Sequence, residues 1–106
     1  INIISLKNYN VLNKIPVGNS PVDMYFNGEF CYVSNFGDGT VSILDINKYK
    51  EIKRIEVGGM PRGIIEDEKY LYVGDNYNNL LFRIDKITEN KKAISIGTEP
   101  TGMTLL

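Results

Sequence analysis

The 106-residue chain contains no histidine and only one cysteine. Without histidine it cannot supply a His-ligated zinc site, a Ser-His-Asp triad or a Cys-His dyad from its own residues. With Cys31 alone, no internal disulfide can close. No apolar run approaches the roughly 20 residues that a membrane-spanning helix needs. Neither sign of charge dominates: twelve Lys and Arg face thirteen Asp and Glu, for a net charge of −1. That excludes a generally basic nucleic-acid binder. No metal site, cofactor or catalytic residue is implied by these residue types. The sequence opens without Met and without a basic-then-apolar leader, so it is expected to start after processing or inside a longer protein.

What the chain does contain is repetition. Val17-Gly18-Asn19-Ser20-Pro21 returns as Val57-Gly58-Gly59-Met60-Pro61 and again as Ile96-Gly97-Thr98-Glu99-Pro100, with proline spacings of 40 and 39. Tyr32-Val33-Ser34-Asn35 aligns with Tyr72-Val73-Gly74-Asp75, and Leu44-Asp45 with Ile84-Asp85. The first seventeen residues fit 41–57 at the same offset, Ile3 on Ile43, Tyr9 on Tyr49 and Ile15 on Ile55. A phase held along the chain, with one deletion near Glu89, marks a repeat of about 40 residues.

Each unit reads as four short strands. Residues 21–26 form the first, and Asn27-Gly28 suits a tight hairpin turn. Residues 29–34 are rich in aromatic and β-branched types, 35–39 in turn formers. Strands over 40–44 and 51–57 follow, joined by a polar connection, and 61–96 repeats the pattern. Locally, Ile43, Ile46, Tyr49, Ile52 and Ile55 also fit a helical stripe capped by Gly58-Gly59. The other copies oppose a helix, because the first carries Asn8, Asn10, Asn13 and Pro16. The second strand is apolar on both sides and the fourth is charged and alternating. This gradient fits small antiparallel sheets stacked face to face with charged outer edges, the blades of a β-propeller.

Val-Gly-x-x-Pro, Tyr-Val-Ser-Asn and Val-Ser-Ile-Leu-Asp together resemble the YVTN-repeat β-propellers, relatives of WD-repeat and quinoprotein-like propellers. Tyr32-Val33-Ser34-Asn35 departs from the name motif at one residue and Tyr72-Val73-Gly74-Asp75 at two. The resemblance implies an all-β partial propeller of about 2.6 four-stranded blades. Residues 1–17 would be the last two strands of one blade, 18–57 and 58–97 two whole blades, and 98–106 the first strand of another. Propellers close with four to eight blades. The expected partners are therefore the remaining blades of a longer chain or further copies of this one. The family also favours an extracytoplasmic or cell-surface location.

In such blades the inter-blade loop and the loop joining strands two and three share a face. That face would carry Asn19, Asn35, Phe36, Asp38, Arg62, Asp75, Asn76, Tyr77, Asn78 and Glu99, and it is the candidate surface for a protein or small-molecule ligand. The same Asn, Asp and Gly residues also suit the turns themselves. Arg62 is expected to start an innermost strand near the channel. Asp45 and Asp85 end both third strands and fit turn hydrogen bonds. The acidic run Glu66-Asp67-Glu68 and the lysines Lys48, Lys50, Lys53, Lys86, Lys91 and Lys92, with Arg54, read as a solvated rim. The functions that fit are a non-catalytic scaffold or, alternatively, part of a lactonase-like or quinoprotein-like propeller whose reacting groups lie in other blades.

Overall fold

A computed structural model of the chain describes residues 1–96. The expected strand over 98–106, with Thr98 and Glu99, lies outside the described residues. Among these, ten strands and no helix occur. Strands β1 (Asn2–Ile4) and β2 (Val11–Lys14) form a two-stranded sheet. Strands β3 (Pro21–Phe26), β4 (Phe30–Asn35), β5 (Thr40–Asp45) and β6 (Lys50–Glu56) form one antiparallel blade in chain order. Strands β7 (Ile64–Glu66), β8 (Tyr70–Asp75), β9 (Leu80–Asp85) and β10 (Lys91–Ser95) form a second. The helical stripe is absent: Ile43 lies in β5, Ile52 and Ile55 in β6, and Tyr49 turns the chain between them with φ 54°.

The turns repeat as closely as the strands. Tyr9, Tyr49 and Glu89 hold φ of 60°, 54° and 62° at the same point of the third-to-fourth connection. Just before it, the side chains of Ser5, Asp45 and Asp85 accept amides two or three residues on. This is the turn chemistry anticipated for Asp45 and Asp85. At the first hairpin, Asn27 Oδ1 takes the amides of Glu29 and Phe30, and Asp67 Oδ1 those of Lys69 and Tyr70. Gly28 follows with φ 96°, a left-handed position suited to glycine.

The structure also explains the spacing of 39. In β6, Lys53 faces Ile43 but Glu51 faces Leu44, so Ile52 is an unpaired bulge residue. Leu12 is the same bulge in β2, where Asn13 faces Ile3 and Val11 faces Ile4. Strand β10 pairs with β9 in unbroken register. The residue deleted from the last copy is the bulge.

Period-two alternation sends neighbouring residues to opposite sheet faces. Cys31, Val33 and Leu44 pack with Ile15 against the two-stranded sheet. Tyr32, Val41 and Ile55 turn the other way and meet Ile64, Leu71, Val73, Phe82 and Ile84 of the second blade. Each large side chain buried there contributes about 1.5–3 kcal/mol, so this interface is the main adhesion between blades. Tyr72 holds the register position of Tyr32, opposite Arg83 as Tyr32 is opposite Ile43. Tyr32 is buried and Tyr72 half-buried, because Tyr72 faces away from the first blade.

Two details differ from the sequence reading. Strand β7 begins at Ile64 rather than Pro61, although Arg62 N already donates to Gly74 O at 2.9 Å. Pro61 has no amide to donate, and Gly63 lacks a side chain to pack. Glu66 is not on a solvated rim. It lies in the innermost strand with its side chain 9% exposed, paired to Lys86 at 2.6 Å.

Candidate functional site

Backbone bonds draw the inter-blade loops onto the strand-two-to-three loops. Phe36 N and Gly37 N donate to Ser20 O and Asn19 O, and Val57 N and Gly58 N both donate to Gly39 O. These contacts place Asn19, Asn35, Phe36 and Asp38 together on one face, with Asp75, Asn76, Tyr77 and Asn78 on the corresponding loop of the next blade. Phe36 and Tyr77 meet across the blade boundary, ring centroids 5.6 Å apart and tilted by 58°. Tyr77 is 65% exposed, so one rigid aromatic surface faces solvent here.

Several polar groups of this face are engaged inside the loops. Asp75 is fully buried and accepts four hydrogen bonds. Its Oδ1 takes Tyr77 N at 3.1 Å and Asn78 N at 3.0 Å, and its Oδ2 takes Met60 N at 3.0 Å and Asn78 Nδ2 at 2.7 Å. Burial pushes this carboxyl upward, but the Asn78 and backbone donors outweigh it and hold it below the ordinary carboxylate value.

The first blade divides the same task between two residues. Asn35, equivalent to Asp75, donates from Nδ2 to Thr40 Oγ1 at 3.0 Å and Ser42 Oγ at 2.9 Å. The inter-blade amide of Asn19 goes instead to Asp38 Oδ2 at 2.9 Å, and Asp38 Oδ1 accepts the Thr40 hydroxyl at 2.6 Å. The Thr40 hydroxyl, and then the Asn19 amide, lower the Asp38 carboxyl. Both carboxylates are held ionised by donors, which suits anchoring and not proton donation. Two buried acceptors, Asn35 Oδ1 and Asn76 Oδ1, have no protein partner.

Arg62 is exposed and lies ahead of β7, while its carbonyl accepts the Ser34 hydroxyl from the other blade at 2.5 Å. The structure ties its backbone to the blade boundary and leaves its guanidinium in solvent. Glu99 is outside the described residues. Cys31 is buried, and burial raises its thiol. No cluster of three or more His, Cys, Asp or Glu forms among the described residues.

Sequence reasoning missed a second polar cluster, at the opposite end of the blades. Glu66 accepts Asn27 Nδ2 at 2.8 Å and Lys86 Nζ, and the Tyr32 hydroxyl also faces it. Burial raises the Glu66 carboxyl, yet Lys86, Asn27 and Tyr32 together hold it low. The Tyr32 hydroxyl is pushed upward, first by burial and then by Glu66. The available signal was position: Glu66 is one residue before the hairpin turn at Asp67, as Phe26 is before Asn27, and so belongs to an innermost strand.

No family model matches the sequence, and no curated protein matches it. Solved structures do. Hydrazine synthase from Kuenenia stuttgartiensis is 29% identical with a TM-score of 0.80, over 93% of this chain and 30% of that one. AztD from Citrobacter koseri is 18% identical, TM-score 0.75, over 93% and 30%. The dihydro-heme d1 dehydrogenase NirN, solved in complex with DHE, is 19% identical, TM-score 0.71, over 91% and 24%. The fold is a β-propeller. The chain spans less than a third of the length of each neighbour.

Proposed function

We propose that the chain is an arc of a YVTN-type propeller acting as a non-catalytic binding or protein-interaction scaffold, with the loop face as its contact surface. The observation that carries this reading is the Phe36–Tyr77 pair, a cross-blade aromatic surface with Tyr77 exposed. Exposed aromatics on a rigid frame supply contact area at low entropic cost. The anchoring bonds of exposed Asp38 and of buried Asp75 support a preorganised surface. In this reading, blades over 18–57 and 58–97 pack against further blades of a longer polypeptide or against other copies of the chain.

The test is capture of proteins from the source cell with immobilised chain, compared with Tyr77→Asp and with Ile87→Asp at the opposite end. Partners retained by Ile87→Asp and lost with Tyr77→Asp support the loop face. Equal retention by all three overturns it. A second reading, part of a propeller enzyme or cofactor domain, is favoured by the 29% identity to hydrazine synthase. It places the reacting groups in other blades, and channel-facing His or paired carboxylates in a longer parent sequence would distinguish it.

A further inference from the structure

Between the two blades, at the end opposite the loop face, a wedge-shaped cavity of about 300 Å³ opens to solvent. Phe30, Ile43, Ile52, Ile55 and Leu71 form its walls. Tyr32, Lys53 and Lys86 complete its lining. A mostly apolar cleft with a few convergent polar groups has the make-up of a small-ligand site, and this one lies at the lower end of the usual size range of about 300–1,000 Å³.

Strand alternation would aim Ile52 and Lys53 to opposite faces. The bulge at Ile52 lets both line the wedge. The bulge at Leu12 occurs in the preceding sheet too, but there Asn13 stands in place of Lys53 and Ile46 in place of Lys86. The Lys53–Lys86 pair is therefore absent from the preceding boundary.

The two lysines differ in how firmly they are held. Lys86 is pinned by Glu66 at 2.6 Å and by the Asp67 carbonyl at 2.6 Å. Lys53 reaches across the mouth to Glu89 at 2.5 Å, in a pair exposed by 42% and 38%. Solvent-exposed pairs of this kind are weak, so another carboxylate can replace Glu89 at little cost.

We propose that this wedge binds a small amphiphile, an apolar tail bearing one carboxylate, with the tail between the blades and the carboxylate on Lys53. The site is separate from the loop face and does not depend on it. The tail removes apolar wall from water, and the carboxylate gains a charge-assisted bond.

The test is titration of the 106-residue chain with 4-phenylbutyrate and with 4-phenylbutan-1-ol, followed by methyl NMR of Ile43, Ile52, Ile55 and Leu71. The acid is expected to bind about two- to fivefold more tightly than the alcohol. Lys53→Met should abolish that preference while leaving alcohol binding and the amide spectrum unchanged. Ile52→Ala, at a partly exposed position, should weaken both ligands. Equal binding of acid and alcohol by the parent chain overturns the proposal. So do no shifts at millimolar ligand, or methyl shifts confined to Ile4 and Val11.

Discussion

Asp75→Asn is the substitution whose cost follows most directly from the loop geometry. It keeps the volume of the side chain and replaces one carboxylate oxygen by an amide nitrogen. With the carbonyl at the Oδ1 position, Tyr77 N and Asn78 N keep their acceptor. The new NH₂ then faces two donors, Met60 N and Asn78 Nδ2, now 3.0 and 2.7 Å from Oδ2. Two charge-assisted bonds are lost at about 1.5–3 kcal/mol each, and partial access of water to the loop returns some of that. A net loss of about 2–4 kcal/mol is expected, a large share of an ordinary domain's stability of about 5–15 kcal/mol. Asp38→Asn should cost less than about 1 kcal/mol, because water can replace its bonds at an exposed site. Urea unfolding followed by far-UV circular dichroism at one fixed protein concentration measures both. The pH dependence gives a second check. Asp75 is depressed in the folded state, so its contribution is present above the ordinary value of 3.8 and is lost as pH falls through the lower folded value. The gap between parent and Asp75→Asn should therefore narrow below about pH 4. A gap under about 0.5 kcal/mol at pH 7, or one that stays constant into acid, would refute the view that Asp75 anchors this loop.

Gly59→Ala would place a Cβ 2.1 Å from Asp75 Oδ2 at φ +59°, whereas Gly28→Ala at φ +96° meets nothing within 4 Å. The first should lose about 3 kcal/mol or more and the second about 1 kcal/mol, and equal urea midpoints would contradict the packing described. Tyr32→Phe removes a hydroxyl that helps to hold the Glu66 carboxyl low, so Glu66 should titrate at higher pH by ¹³C NMR; an unchanged titration would remove Tyr32 from that cluster. Tyr32 is raised above its ordinary 10.0, so its contribution is intact below pH 10 and declines as pH rises beyond it. That decline should be shallower in Tyr32→Phe. If the open face of the second blade seeks another blade, Leu81→Glu should shift sedimentation toward monomer at micromolar concentration. A parent chain that is already monomeric would count against association through this face.

Strand number, strand order and the phase of the repeat were legible because turns and alternation obey local rules. Asn27-Gly28, the Asp at the end of each third strand and the all-apolar second strand each carry their own physical reason. The helical stripe through Ile43 and Ile55 was a rival only within one copy, and comparison with Asn8 to Pro16 removed it. What stayed hidden depends on contacts between blades. Glu66 looks like part of an acidic surface run until a neighbouring blade supplies Asn27 and Tyr32. The bulge at Ile52 registers in sequence as a mere change of spacing, from 40 to 39.

The candidate site was legible as a location and not as a division of labour. Ten residues could be assigned to one face from loop order alone, and the described ones lie on or beside its loops. Which of them remain available to a partner depends on departures from the repeat. Where the first blade has Asn35, the second has Asp75, and this one-atom difference moves the anchoring carboxylate. In the second blade, Asp75 lies beneath the loop and holds the inter-blade amide of Met60 itself. In the first, the inter-blade amide of Asn19 is held by Asp38, an exposed carboxylate three residues beyond Asn35. A partner approaching the first blade meets a carboxylate at the surface, and one approaching the second meets Tyr77 over a buried one. The repeat thus builds a common frame, and single substitutions within it make adjacent blades chemically unequal. A partner that spans the Phe36–Tyr77 boundary can read that inequality, which a ring of identical loops would not offer.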